Sequence, residues 1–305
     1  MSSGVVVVSR ERKPIRGTQF LVEHMGSVFR RPSLVAIEVA WRWLFGIPFV
    51  LVCRRWATST LAKAEFFGLD AIDTGNPWHA ATQLSNAWSF YHPFVKDFLT
   101  GFLPLAAITW IVISGLGRGF LFKRLDPRLR LRPIALIMLQ AAWLCLFILT
   151  MWTWYSAMGW VAASHIIRVA GEPDLIGYFI WAIFLSLGFF TAWAVISWTV
   201  SIAPLLALVE GRSPFEALAQ SLQLGRAFSG KLAEINLVLG IVKLALIVVA
   251  MVFSAAPLPF SDELGPQAMH FVWGASAVFF LVANDYFQVV RLKAFLEFWK
   301  VYREV

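Results

Sequence analysis

Of 305 residues, 59% are hydrophobic and only 14% are charged, with 15 Trp and 27 Phe. A soluble domain carries roughly a quarter charged residues, so this composition excludes an ordinary soluble fold and makes a lipid bilayer the expected solvent. The net charge of +8 matters through its distribution along the chain more than through its sum.

In chain order, the segment 1–32 opens with MSSGVVVVSRERKPIRG, whose four-residue apolar run is too short for a cleavable leader. TQFLVEHMGSVFRR then puts Leu21, Met25 and Val28 on one helical face. The first span is expected at 33–53, followed by an external loop at 54–97, in which Asn76-Pro77 ahead of Trp78, Ala81 and Trp88 predicts an interfacial helix. A second span is expected at 98–118, a cytoplasmic loop at 118–132 and a third span at 133–155, which emerges around Trp152, Trp154 and Trp160. The fourth span is placed at 176–203, ended or kinked by Pro204; Pro48 and Pro104 predict kinks in the first two. A cytoplasmic loop at 209–231 leads to spans at 232–256 and 268–290. The last segment, 291–305, carries Leu292, Phe295, Leu296, Trp299 and Tyr302 at helical spacing. The expected fold is therefore all-α: a polytopic helical membrane protein with about six transmembrane helices in a membrane domain at 33–290, plus amphipathic interfacial helices. The two terminal helices read either as surface helices with basic residues toward anionic headgroups or as helices packed against neighbouring spans. No internal repeat survives counting, and Cys53 and Cys145 read as ordinary buried thiols without metal-ligand spacing.

Orientation follows from Lys and Arg. Nineteen of the 26 fall in the N-terminal segment, the loops after the second and fourth spans and the C-terminal segment; five, Arg54, Arg55, Lys63, Lys96 and Arg168, fall on the other side. Positive charge favours the cytoplasmic face, which puts both termini there. The basic run KRLDPRLRLR fits the same rule and contact with anionic lipid, so no nucleic-acid partner is expected.

EGRSPFEALAQSLQLGR, Glu210 to Arg226, is the most deliberate local signal. Ser213 is a good N-cap, Pro214 suits the first helical position and Glu216 completes a capping box. Phe215, Leu218 and Leu222 share a face of the helix that follows, which is too short to cross a bilayer and is expected at the cytoplasmic interface. With its flanks, APLLALVEGRSPFEALAQSLQLGRAFSGKL resembles the membrane domain associated with some glycerophosphoryl diester phosphodiesterases and the related YciC-type family of bacterial inner-membrane proteins. Pro204, Glu210, Gly211, Ser213, Glu216 and Arg226 carry the resemblance. It implies a bacterial cytoplasmic (inner) membrane location and no particular reaction.

Ionisable groups inside a membrane are functional candidates by default. Glu38 and Arg42 lie four apart on the first span, Lys243 is in the fifth, and Asp285 follows Asn284 in the sixth. Helical rise sets Glu38 and Asp285 about 8 Å from the cytoplasmic end, so two acids and two bases are expected to form a layer, extended by Gln140, Asn236 and Gln288. One reading is a polar pocket for a headgroup or a translocated ion; the other is ion pairing that fixes helix packing. His79, His92, His165 and His270 lack metal-ligand spacing, so no metal is expected, and His165 with His270 is the pair to compare. The glycines of ISGLGRGF read as helix packing or a kink. No catalytic motif and no cofactor motif is present.

The primary functional expectation is a non-enzymatic lipid-binding or envelope-support protein, with membrane lipids, and a protein partner or second copy, as its company. Its rivals are a transporter or channel using the charged layer, and a membrane subunit of a larger complex.

Overall fold

The computed structural model describes residues 17–62, 77–167, 174–227, 229–255 and 266–303. The expectations for Arg10, Arg12, Lys13, Arg16, Lys63 and Arg168, and for the side chains of Trp78, His79, Ala81, Trp88, Arg226 and Tyr302, lie outside the described residues. The protein is all-α, with α1 (Gly17–Phe29), α2 (Pro32–Leu61), α3 (Pro77–Leu125), α4 (Pro133–Ala162), α5 (Leu175–Val200), α6 (Ala203–Val209), α7 (Pro214–Ala227), α8 (Ser229–Ala255) and α9 (Pro266–Arg303), and a π turn over Ala163–Ile167. Five segments among the described residues are long and apolar enough to cross a membrane: Pro32–Leu61, Ser89–Leu125, Pro133–Ile166, Leu175–Val209 and Glu234–Val252. The expected sixth span, 268–290, is helical within α9 but is not among the five.

Helices outrun hydropathy. The expected loop at 54–97 is helical at both ends, because Arg54 and Arg55 end an apolar run without breaking a helix, and α2 continues to Leu61. At the other end, Trp78, Ala81 and Trp88 belong to α3 itself, a 49-residue helix. At 1.5 Å per residue α3 spans about 74 Å, more than twice a ~30 Å hydrocarbon core. Pro48 in α2, and Pro93 and Pro104 in α3, remove donors but do not end their helices. α9 likewise joins the expected sixth span and the C-terminal amphipathic segment into one 38-residue helix. Pro204 does act as a terminator: α5 stops at Val200, and Pro204 sits in the first turn of α6.

The chain forms two compact units. One comprises Val39–Lys123 and Arg128–Trp193. Within it, α2 and α3 run antiparallel along a ladder of rings. Trp41 and Phe45 meet Trp110 (5.6 and 5.0 Å between centroids), Phe49 stacks on Phe102 (5.5 Å), and Trp56 stacks on Phe98 (4.4 Å). α4 and α5 use the same device: Trp143 and Phe147 flank Trp193 at 5.3 and 5.2 Å. Trp154 faces Phe190, and its indole N–H donates to Ser186 Oγ at 3.1 Å. Trp154 thus turns into the helix pair, whereas Trp152 and Trp160, both 67% exposed, keep the outward position expected of an interfacial belt. Cys145 is exposed and Cys53 half-exposed, which corrects the expectation of buried thiols.

The glycines of ISGLGRGF are close-approach positions in an unbroken helix. A Cβ on Gly117 would overlap the indole of Trp41, one on Gly115 would come within 2.9 Å of Ile137 Cγ1, and one on Gly119 within 3.0 Å of Leu136 Cδ1. Small residues let membrane helices approach where lipid offers no hydrophobic drive. Gly117→Ala is therefore expected to destabilise by about 1–3 kcal/mol through overpacking, while Gly101→Ala, with open space around it, leaves stability unchanged or raised. Thermal unfolding of the detergent-purified protein compares the two.

The other unit comprises Met1–Glu38, Arg124–Pro127 and Ala194–Val305. Here α8 packs on α9, and α1 lies against both. Leu21 and Val28 of α1 are 2% and 0% exposed, so the expected apolar face covers protein. Leu292, Phe295, Leu296 and Trp299 of α9 are buried in the same way. α6 is buried from Ala203 to Leu208, and α7 packs on it.

Candidate functional site

In an apolar span a polar side chain is retained only if partners offset its desolvation. In the α8–α9 unit, Glu38 is 0%, Asp285 3%, Asn236 4% and Gln288 7% exposed. On α9, Asp285, Gln288, Leu292 and Leu296 recur at helical spacing, so the carboxylate and amide sit in the buried stripe that packs the helix. On α8, Asn236, Leu239 and Lys243 form the matching stripe, with Leu239 3% exposed and Lys243 half-buried. Glu38, Asn236, Lys243 and Asp285 each hold an electrostatic or hydrogen-bonding partner. Asn284, beside Asp285, is half-buried.

Of the expected layer, Glu38, Lys243 and Asp285 thus belong to one compact unit, together with Asn236 and Gln288. Arg42 and Gln140 belong to the other. There the Arg42 guanidinium lies 5.3 Å from the centroid of the Trp41 ring, and Gln140 is 3% exposed. The amide nitrogen of Gln140 has no hydrogen-bond partner among the described residues.

The sequence reading missed a second set of polar groups, which tie α1 to α9. Tyr286 Oη donates to the Met25 carbonyl at 2.9 Å. Seven residues on, Lys293 Nζ donates to Ser27 Oγ at 2.6 Å, and that hydroxyl donates to the His24 carbonyl at 2.8 Å. Further along, Lys300 reaches Asp126 at 3.0 Å and Glu297 at 3.3 Å. The seven-residue spacing of Tyr286 and Lys293 was visible in the sequence, but the partners lie some 260 residues away (separations of 261 and 266). Burial pulls the Lys300 pKa down, yet the hydrogen bond to Asp126 and the charges of Glu297 and Asp126 outweigh it and leave the value raised. At Lys293, burial and then the charge of Arg31 hold the pKa below the usual lysine range.

The α6–α7 connection bears out the capping box atom by atom. Ser213 N–H donates to Glu216 Oε2 at 3.1 Å, and Glu216 N–H donates to Ser213 Oγ at 3.3 Å. Gly211 takes φ = 67°, a left-handed turn conformation suited to glycine. Beside it Arg212 pairs with Glu210. Ala217 and Ser221 form the fully buried stripe of α7, while Phe215 and Leu222 are 74% and 48% exposed. The apolar face expected from Phe215, Leu218 and Leu222 therefore points largely away from protein.

His165 lies in the π turn. Its Nδ1 is 2.8 Å from Ser164 Oγ and 3.1 Å from the Val161 carbonyl, and its own carbonyl accepts Asp174 N–H at 3.0 Å. Asp174 Oδ1 in turn accepts Gly177 N–H at 2.9 Å and so caps α5. His270 is in the other unit, against the Trp273 ring at 5.5 Å. No group of three or more His, Cys, Asp or Glu converges among the described residues.

These features define an all-α polytopic membrane protein with polar groups built into its helix contacts. No family model, curated protein or solved structure matches the chain.

Three outcomes are expected. Ser213→Ala lowers the stability of the α7 start by about 1 kcal/mol, read as faster amide hydrogen exchange in the first turn. Because hydrogen bonds from the Ser213 backbone and side chain hold the Glu216 pKa below its ordinary value, the box is intact above the ordinary carboxylate range and is lost as pH falls through the lowered value. Asp285→Ala removes a 3% exposed carboxylate and the interaction it makes, and is expected to cost about 1–3 kcal/mol; Asp285→Asn, which keeps hydrogen-bonding capacity, costs less. Thermal unfolding in detergent ranks them.

Proposed function

We propose that the protein is a non-enzymatic integral membrane protein that binds lipid through its helix surface. The observation that carries this reading is an apolar groove of about 240 Å³ between α2 and α3, floored by Ala106 and lined by Phe45, Pro48, Phe49 and Phe102. Its rim residues Leu44, Val52 and Leu105 are 65%, 43% and 63% exposed on apolar membrane-length helices, so the groove opens sideways, where an acyl chain would lie. The aromatic ladder supports the reading physically: stacked rings hold the helices apart beside the small Ala106 and leave room for a chain. Acyl chains are as apolar as leucine, so the groove selects by shape and dispersion rather than by hydrophobic transfer.

The reading includes a bacterial inner-membrane location with both termini cytoplasmic, supported by the nineteen-to-five distribution of Lys and Arg. It also includes kinship with the YciC-type and phosphodiesterase-associated membrane domains, supported by the stretch from Pro204 to Arg226. A second reading, ion transport, rests on one observation: Glu38 and Asp285 are 0% and 3% exposed in apolar helices.

Ala106→Trp fills the groove and is expected to lower the lipid retained per protein, measured by native mass spectrometry after detergent extraction. Unchanged retention in a folded variant would sink the groove reading.

A further inference from the structure

The turn between α1 and α2 gathers positive charge without matching acid. Arg30 and Arg31 are exposed in it, and among the described residues neither has an ion-pair partner. Lys293 of α9 is half-buried beside the turn, with its ammonium pinned by Ser27 of α1 at 2.6 Å. Ser27, the partner of that ammonium, lies three and four residues before Arg30 and Arg31 at the same end of α1, and the charge of Arg31 acts on Lys293. The acid within reach of Lys293 is Glu297, and it is shared with Lys300 at 3.3 Å. Glu23 is exposed on α1, seven residues before Arg30. α2 begins at Pro32, directly after the arginines, so the positive end of a 30-residue helix adds to the same turn. Holding like charges together costs free energy that a bound anion would offset.

What surrounds the charge selects the source of that anion. α1 has two apolar faces. Leu21 and Val28 are buried against the unit, while Val22 and Phe29, seven residues apart, are 67% and 77% exposed. Phe29 stands immediately before Arg30. An exposed aromatic wedge beside a cation cluster is the arrangement by which interfacial helices enter the headgroup boundary. A site for a soluble anion has no use for the wedge.

We infer that the α1–α2 turn, with Arg30, Arg31 and Lys293 as its cations and Phe29 as its wedge, is a binding site for the headgroup of an anionic phospholipid. This deepens the lipid-binding reading and rests on it. A groove that meets only acyl chains cannot distinguish headgroups; the cation cluster supplies that discrimination.

The test uses the full chain in nanodiscs of mixed phosphatidylglycerol and phosphatidylcholine, with spin-labelled versions of each lipid reporting the motionally restricted fraction. The wild-type protein is expected to prefer phosphatidylglycerol, and Arg31→Gln with Lys293→Met to reduce that preference by about fivefold per charge removed. Arg30→Gln with Arg31→Gln, confined to exposed side chains, provides a second variant should loss of Lys293 disturb folding. Arg54→Gln with Arg55→Gln removes two exposed charges elsewhere and is expected to leave the preference unchanged. The site assignment is overturned if both turn variants keep the wild-type preference, or if the Arg54–Arg55 variant loses it equally. It is also overturned if inorganic phosphate abolishes the preference when chloride at equal ionic strength does not, since the turn would then take a free anion. Total restricted lipid reports the α2–α3 groove and the ratio of the two lipids reports the turn, so failure of either is separable.

Discussion

The structure depends on one constraint: backbone amides surrounded by hydrocarbon must find hydrogen bonds inside their own segment. It explains why helices continue where hydropathy stops. Once α2 is formed, Arg54 and Arg55 leave the apolar region while the backbone has no reason to abandon its ladder, and the helix runs to Leu61. The same persistence carries α3 through Pro93 and Pro104 and turns the last span and the terminal segment into one helix. Interruption needs more than one lost donor: α5 ends where Ser201 and Ile202 turn the chain and Pro204 opens a new helix.

Satisfied backbones leave helix association without a hydrophobic drive, and the two units meet that problem with different chemistry. The unit of α2 to α5 uses shape: stacked rings between antiparallel helices, an indole donating to a serine, and glycines that admit Trp41 and Ile137 at close range. The α8–α9 unit uses polarity. Glu38, Asn236, Asp285 and Gln288 are buried in its packing stripes, and Tyr286 and Lys293 reach across to α1. Polar contacts of this kind fix which faces meet, because any other arrangement would leave a charge in hydrocarbon without compensation.

This division bears on function. Stacked rings line an apolar groove between α2 and α3, which the lipid-binding proposal assigns to an acyl chain. The polar unit presents cations and an exposed aromatic side chain at a helix turn, which the further proposal assigns to a headgroup.

The sequence by itself determined the solvent, the helical class, most span positions and the capped start of α7, because each follows from composition, apolar run length or contacts within four residues. Ser213 and Glu216 were legible for that reason: both partners of each bond lie within one turn. It also marked Glu38, Lys243 and Asp285, since charge in an apolar run needs no structure to be noticed. Only the tertiary structure decided that Phe215 and Leu222 face outward while Ala217 and Ser221 are buried, that the ISGLGRGF glycines admit neighbouring helices, and that Lys293 is pinned to Ser27 of α1. Periodicity tells which residues share a face; what covers that face depends on residues far away in the chain, and local pattern carries no information about them.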